Sequence, residues 1–295
     1  VTDPQVDLIV YDFGAVSVVY RITVSGDSSD LLALSEALYE NQPLLDDSRR
    51  RVEDLMKVME GVVSKPNISG FVEDYVIFQI DGFTEPITTG DLITQYPQHL
   101  AQILRAEHRE LSADEVMDAV SHRISFGKDD IVFIDWNAAL VVDKESEDIL
   151  TILEFANVEL LEMRFLDQRL DEALGLAYDR LSRRSQRWFP SRSNPSDLRD
   201  VSQWQVDSAI LFEGVNNSLK LLGDQYLARV YRLTAQRFHL TEWDASILRK
   251  LETLESIYQK ISDQVVSWRM EVLEWIIIVL IAISIVLPFI SSKFH

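Results

Sequence analysis

Cysteine is missing from the 295 residues of this sequence, and glycine is sparse. Without cysteine the chain forms neither disulfide bonds nor thiolate metal sites, and it has no thiol nucleophile. Its ten glycines are scattered, and no Gly-x-Gly-x-x-Gly loop occurs. The motifs His-Glu-x-x-His and Gly-x-Ser-x-Gly are also missing. No motif therefore assigns an enzyme class, and we predict no catalytic residue, no metal site and no cofactor.

Basic side chains are few in the first half of the chain. The whole sequence has a net charge of −20, and residues 1–147 hold 28 acidic against 11 basic side chains, which gives −17. Nucleic acid would repel such a surface, so we expect no direct nucleic-acid binding by this half. Its charge would attract a basic protein partner. The alternative is an acidic surface that only favours solubility.

Short strand-like and helix-like segments alternate through residues 1–147. Runs rich in β-branched and aromatic residues predict strands at 8–11, 15–24, 71–80, 131–134 and 138–142. Capping residues and helical spacing predict helices at 28–40, 44–63, 92–105 and 112–122. This pattern predicts an acidic α+β head domain, residues 1–147, with four to six strands.

The strand pattern ends after the head, and helical spacing takes over. It predicts a long helical hairpin over residues 148–240, a coiled-coil-like stalk helix over 241–274 and a transmembrane helix over 275–292. The predicted fold class is therefore an α+β head followed by an antiparallel helical bundle and one C-terminal transmembrane helix.

Apolar and aromatic residues at alternating four–three spacing mark the stalk. This period keeps one stripe of a helix facing a partner helix. The stripe consists of Ile247, Leu251, Leu254, Tyr258, Ile261, Val265, Trp268 and Val272. Its partner is either the chain's own helical hairpin or another copy of the chain. The length of the stalk favours a homo-oligomer.

The residues from Trp275 to Ile290 are apolar except for Ser284. Crossing a bilayer takes about 20 residues, with a range of about 17–25, so this run with its flanks predicts one short span. An indole such as that of Trp275 prefers the membrane interface. The sequence thus predicts a single-pass membrane protein that contacts the lipid bilayer. The alternative is a buried helix of a soluble core.

A basic and aromatic cluster occupies the connection inside the helical hairpin. The up-and-down course of the helices would bring this connection close to the membrane. The predicted membrane-surface residues are Arg183, Arg184, Arg187, Trp188, Phe189 and Trp275. Basic residues beside lipid indicate a head on the cytoplasmic or matrix side, in a bacterial or mitochondrial inner membrane. The alternative is that these arginines only offset a helix dipole.

Two groups in the head could support chemistry. One is a set of histidines, which consists of His99, His108 and His122. The other is a set of carboxylates around a predicted strand, which consists of Asp129, Asp130 and Asp135. A chain with 48 acidic residues gathers such groups by chance. We therefore interpret Asp135-Trp136-Asn137 as a structural hairpin turn.

Three segments resemble the "required for meiotic nuclear division" family of membrane proteins. They are 130–137 in the head, 152–156 in the first long helix and 269–277 at the predicted span. The resemblance implies a scaffold that supports organellar translation at the inner membrane, and it brings no catalytic residues. The layout is also similar to that of CorA magnesium transporters, but a second span and a Gly-Met-Asn motif are missing.

These observations predict a membrane-anchored, oligomeric scaffold or tethering protein rather than an enzyme. Two alternative functions belong to other classes of protein. One is a CorA-like oligomeric ion conduit, and the other is a membrane-anchored enzyme that uses carboxylates of the head.

Overall fold

The computed structural model describes residues 2–63, 67–85, 87–185 and 224–291. These residues form an α+β protein with two sheets. They divide into two compact units, the first within 2–165 and 224–244 and the second within 166–185 and 245–291. The division into head, hairpin, stalk and span at residues 147, 240 and 274 stays a prediction.

Strands and helices follow one another as the sequence pattern predicts for the first half. The strands are β1 (Thr2–Val10), β2 (Val16–Ile22), β3 (Val76–Ile80), β4 (Arg123–Ile124), β5 (Ile131–Ile134) and β6 (Ala138–Val142). The helices are α1 (Ser28–Leu38), α2 (Gln42–Val58), α3 (Thr89–Gln95), α4 (Pro97–Arg105), α5 (Ala113–Ser121), α6 (Glu147–Ser185), α7 (Gln225–Arg237) and α8 (Leu240–Ser291).

A four-stranded sheet in the order β3-β6-β5-β4 is the centre of the first unit. Strands β5 and β6 pair antiparallel as a hairpin, and β3 runs parallel to β6. Every residue of β5 and β6 is buried, because both faces of the sheet are covered. One face packs on α1, α3, α4 and α5, and the other packs on the start of α6 and on α7. Strands β1 and β2 form a separate hairpin.

Helices α3 and α4 were predicted as a single helix over 92–105. They are two helices because Pro97 has no backbone N–H to continue the first helix, whereas its fixed φ suits the first turn of the second. Thr88 caps α3 by accepting a hydrogen bond from the backbone of Asp91 at 3.1 Å. Helix α4 ends at Arg105, whose side chain contacts Asp135 in the β5–β6 turn.

The second unit is built on the C-terminal part of α6 and on α8. Two rows of apolar side chains are buried in it: Leu166, Leu170, Ala173 and Ala177 on α6, and Ile247, Leu254, Ile257 and Tyr258 on α8. Lys250 of α8 lies between Asp167 and Asp171 of α6, with N–O distances of 2.7 and 2.6 Å. The two helices are therefore neighbours, and the first part of the predicted stripe packs inside this chain.

The transmembrane part of the predicted fold class is wrong. Among the described residues, no helix carries a stretch both long and apolar enough to cross a membrane. The predicted single pass, bilayer contact and inner-membrane location are corrected on this ground. The CorA-like layout requires spans and is corrected with them.

Candidate functional site

The turn between β5 and β6 is held by three hydrogen bonds. The backbone N–H of Asp135 donates to the carbonyl of Ala138 at 2.9 Å, and the N–H of Trp136 donates to Asp135 Oδ1 at 2.8 Å. The hydroxyl of Tyr75 donates to the carbonyl of Asp135 at 2.9 Å. Burial raises the pKa of this tyrosine well above its usual range. These bonds fix both the turn and the side chain of Asp135, which is fully buried.

Two arginines neutralise this buried carboxylate. Arg105, the last residue of α4, donates from Nε to Asp135 Oδ2 at 3.1 Å, and Arg237, the last residue of α7, donates from Nε to Oδ1 at 2.8 Å. A buried carboxylate is costly unless it is paired and hydrogen-bonded. Asp135 meets both conditions, so the turn and the ends of two helices are joined at one point.

Two further carboxylates complete the group, which we call the Asp135 cluster (Asp135, Arg105, Arg237, Asp118 and Glu115). Asp118 of α5 accepts from Arg105 Nη2 at 2.6 Å and from Arg237 Nη2 at 2.7 Å, and Glu115 pairs with Arg105. The hydrogen bond from Arg237 lowers the pKa of Asp118 below its usual range. Three carboxylates and two guanidiniums leave one net negative charge.

The cluster presents its acidic members to solvent. The side chains of Asp118 and Glu115 are 52% and 56% exposed, whereas those of Arg105 and Arg237 are 12% and 10% exposed. The surface at this point is therefore acidic, although the cluster contains two arginines. Trp136 follows Asp135 in the turn and is 53% exposed.

His122 lies at the end of α5, with Nδ1 2.9 Å from the hydroxyl of Ser121. Burial and the positive charge of Arg237 lower its pKa, which favours the neutral imidazole at neutral pH. Of the other histidines considered in the sequence, His108 pairs with Glu36 at 2.9 Å, and the ring of His99 lies against that of Tyr96. In the part of the chain that the structure describes, no group of three or more His, Cys, Asp or Glu side chains could hold a metal ion.

The carboxylates around β5 do not form a catalytic pair. Asp129 and Asp130 precede the strand and Asp135 follows it, so about 16 Å of extended chain separates Asp130 from Asp135. The paired carboxylates of glycosidases, for comparison, lie about 5–9.5 Å apart. Asp130 instead accepts a hydrogen bond from the N–H of Phe126 at 2.7 Å and fixes the loop before β5. Asp130 and Asp135 thus have structural roles.

The structure describes only some of the predicted membrane-surface residues. Arg183 and Arg184 lie in α6, but their side chains fall outside the described residues, as do Arg187, Trp188 and Phe189 altogether. Trp275 lies on α8 and is exposed. The stripe residues Ile261, Val265 and Trp268 also have side chains outside the described part, and Val272 is half-buried. The described residues do not test the predicted role of these side chains at a membrane surface.

Sequence reasoning missed Arg105 and Arg237. They lie 30 and 102 residues from Asp135 along the chain, and neither belongs to a motif. Their position at the last residue of a helix was visible, but basic residues are common there because they offset the helix dipole. Only the fold brings them to the same carboxylate.

A second buried group joins α6 and α7 of the first unit. Glu159 of α6 accepts a hydrogen bond from the hydroxyl of Tyr231 of α7 at 2.6 Å. Burial raises the pKa of Glu159 to about 7, and the negative charge of Asp244 of α8 acts in the same direction. In the described part of the chain, no lysine or arginine forms an ion pair with Glu159. This carboxyl group therefore tends to hold its proton.

The fold and this site define an α+β protein whose sheet is tied to long helices by a neutralised buried carboxylate. The chain belongs to the family described as "Uncharacterized protein MJ0711, N-terminal domain", whose model matches residues 1–148. It is 24% identical over 237 residues to "Uncharacterized protein MJ0711" of Methanocaldococcus jannaschii, which covers 80% of this chain and 71% of that protein. No solved structure matches.

These comparisons correct the resemblance to the "required for meiotic nuclear division" family. The resemblance was carried by three short segments, a buried strand with its turn and two stretches of helix. Apolar strands and amphipathic helices recur in unrelated folds because they follow from burial alone. A match over 148 residues specifies the family where these segments do not.

Proposed function

We propose that the protein is a non-enzymatic scaffold that self-associates through α8 and binds a basic protein partner with its acidic head. The observation that carries this proposal is the exposed apolar surface of α8. From Ile276 to Ile283 the large apolar side chains are 48% to 59% exposed. Contiguous apolar surface of this kind marks an interaction site.

A second copy of the chain fits this surface, because each copy contributes the same apolar segment of α8 to the contact. Apolar side chains then meet apolar side chains along the whole segment, as in symmetric oligomers. The segment is apolar on every side of the helix, so a single neighbour covers only part of it. We therefore expect more than two copies. Each half-exposed leucine or isoleucine contributes about 1 kcal/mol when it is covered.

The lack of enzymatic activity is proposed from the Asp135 cluster. General acid–base catalysis needs a carboxyl group that can reach a substrate proton. Both oxygens of Asp135 already accept hydrogen bonds from guanidinium groups, and the side chain is fully buried. This geometry suits a structural joint that holds a binding surface.

Sedimentation velocity of the full chain tests the assembly. We expect a discrete species larger than a monomer. Replacing Ile277 and Ile281 together by Asp places charges on the apolar surface, and we expect this variant to sediment as a monomer. Leu248→Asp is the matched control, since Leu248 is 50% exposed on the same helix. A monomeric wild type, or a double variant that sediments like the wild type, would refute self-association through this surface.

A further inference from the structure

We propose that Trp136, together with the exposed carboxylates of Asp118 and Glu115, is the docking surface for an arginine- or lysine-rich segment of a partner protein. The inference rests on the proposed scaffold function, because it names the surface of the head that takes the partner. It also specifies the chemistry of that partner.

The exposure of Trp136 is the first argument. Its neighbours Asp135 and Ala138 are buried, yet the indole is 53% exposed. Tryptophan is buried over most of its surface in folded proteins, and it is enriched among the residues that dominate binding energy in protein interfaces. An exposed indole at the tip of a turn offers a large apolar contact to a partner.

The rigidity of the turn is the second argument. The backbone of Trp136 is held by Asp135 Oδ1, whose carboxylate is held in turn by Arg105 and Arg237. The turn is therefore ordered before a partner arrives. Binding to an ordered surface avoids the entropy cost of fixing a loop. This stiffness explains why two arginines are used to neutralise a single buried carboxylate at a turn.

The distribution of charge selects the partner. The guanidiniums of the cluster are directed inward, and the half-exposed carboxylates of Asp118 and Glu115 face solvent. A guanidinium or ammonium group of a partner gains a charge-assisted hydrogen bond to these carboxylates, which still have free lone pairs. A basic side chain of the partner can also stack on the exposed indole of Trp136 as a cation–π pair. An acidic segment or a nucleic acid would meet repulsion from the −17 charge of residues 1–147.

Titration calorimetry with the full chain tests this surface. The probe is a short peptide of alternating arginine and alanine, and the comparison peptide has glutamate in place of arginine. We expect the basic peptide to bind and the acidic one to remain unbound. We expect Trp136→Ala to weaken binding about tenfold, which corresponds to one ordinary interface anchor. Tyr178→Ala is the matched control, since Tyr178 is an aromatic residue with the same exposure of 53% in the second unit.

Three results would overturn the proposal: wild-type protein that does not bind the basic peptide, equal affinity for the acidic peptide, or unchanged affinity in Trp136→Ala. Trp136→Phe keeps an aromatic face and should retain most of the affinity, which separates loss of the ring from loss of the fold. Sedimentation of the same samples keeps the two proposals apart. Peptide binding that depends on Trp136 in a monomeric protein would support this surface and refute the assembly through α8.

Discussion

Asp135 carries a formal charge into the interior of the first unit, and its environment decides what a substitution there does. Asp135→Asn removes the charge while it keeps the shape of the side chain. The guanidiniums of Arg105 and Arg237 then stay buried without their shared anion. We expect a loss of about 3 kcal/mol in the free energy of unfolding. Chemical denaturation measures this loss.

Asp129→Asn is the matched control for this substitution. Asp129 is exposed in the loop before β5, so its replacement should change the free energy of unfolding by less than about 0.5 kcal/mol. Equal stability of the Asp135 and Asp129 variants would contradict the structural role of the cluster.

Glu159 makes the stability depend on pH. Its pKa in the folded chain is raised from 4.5 to about 7, so the folded state holds this proton where the unfolded state releases it. The contribution to stability is therefore complete below pH 4.5, falls as the pH rises and is lost above pH 7. For this shift the loss amounts to about 3 kcal/mol.

Denaturation of wild type and Glu159→Gln at several pH values measures this contribution. The glutamine variant keeps a hydrogen-bonding group but has no proton to release. We expect its stability to fall less than that of the wild type between pH 5 and pH 8. Glu162, whose pKa burial also raises to about 7, remains in both proteins and titrates equally. Parallel pH profiles of the two proteins would exclude Glu159 as the source.

At the level of single elements, local patterns predicted some features and missed others for physical reasons. Strands β5 and β6 have the predicted bounds, because each is a short apolar run and the turn Asp135-Trp136-Asn137 separates them. The strand predicted over 71–80 begins only at Val76, since β-propensity alone does not show where a pairing partner starts. The partner of β3 is β6, more than fifty residues later, and no local signal encodes that pairing.

The stripe on α8 yields a prediction at the element level. Leu254 is fully buried in the second unit, so Leu254→Ala leaves a cavity and should lower the free energy of unfolding by about 3 kcal/mol. Leu248→Ala on the same helix is the control. Leu248 is half exposed, and its loss should cost less than about 0.5 kcal/mol. Urea unfolding compares the two. A small effect at Leu254 would show that the stripe contributes little inside the chain.

At the scale of the whole molecule, composition predicted an acidic first half, and local residue patterns predicted that this half is α+β and that the second half is helical. Neither predicted the Asp135 cluster, whose members come from four separate elements and meet only after the sheet and helices have packed. Hydropathy along α8 predicted a span, but among the described residues no helix is long and apolar enough to cross a membrane. Self-association, which sedimentation tests, is a property of the whole molecule, because complete chains would cover each other's exposed apolar surface on α8.

The Asp135 cluster joins residues that the ribosome synthesises early to a residue that it synthesises much later. The family match ends at residue 148. Two residues beyond it nevertheless contact the sheet of this region: Val230 of α7 packs on it, and Arg237 forms an ion pair with Asp135. During synthesis the ribosome must therefore add roughly a hundred residues after β5 before Arg237 can pair with Asp135 at the end of that strand. Until α7 is synthesised, we expect the part of the sheet face that Val230 covers to stay open.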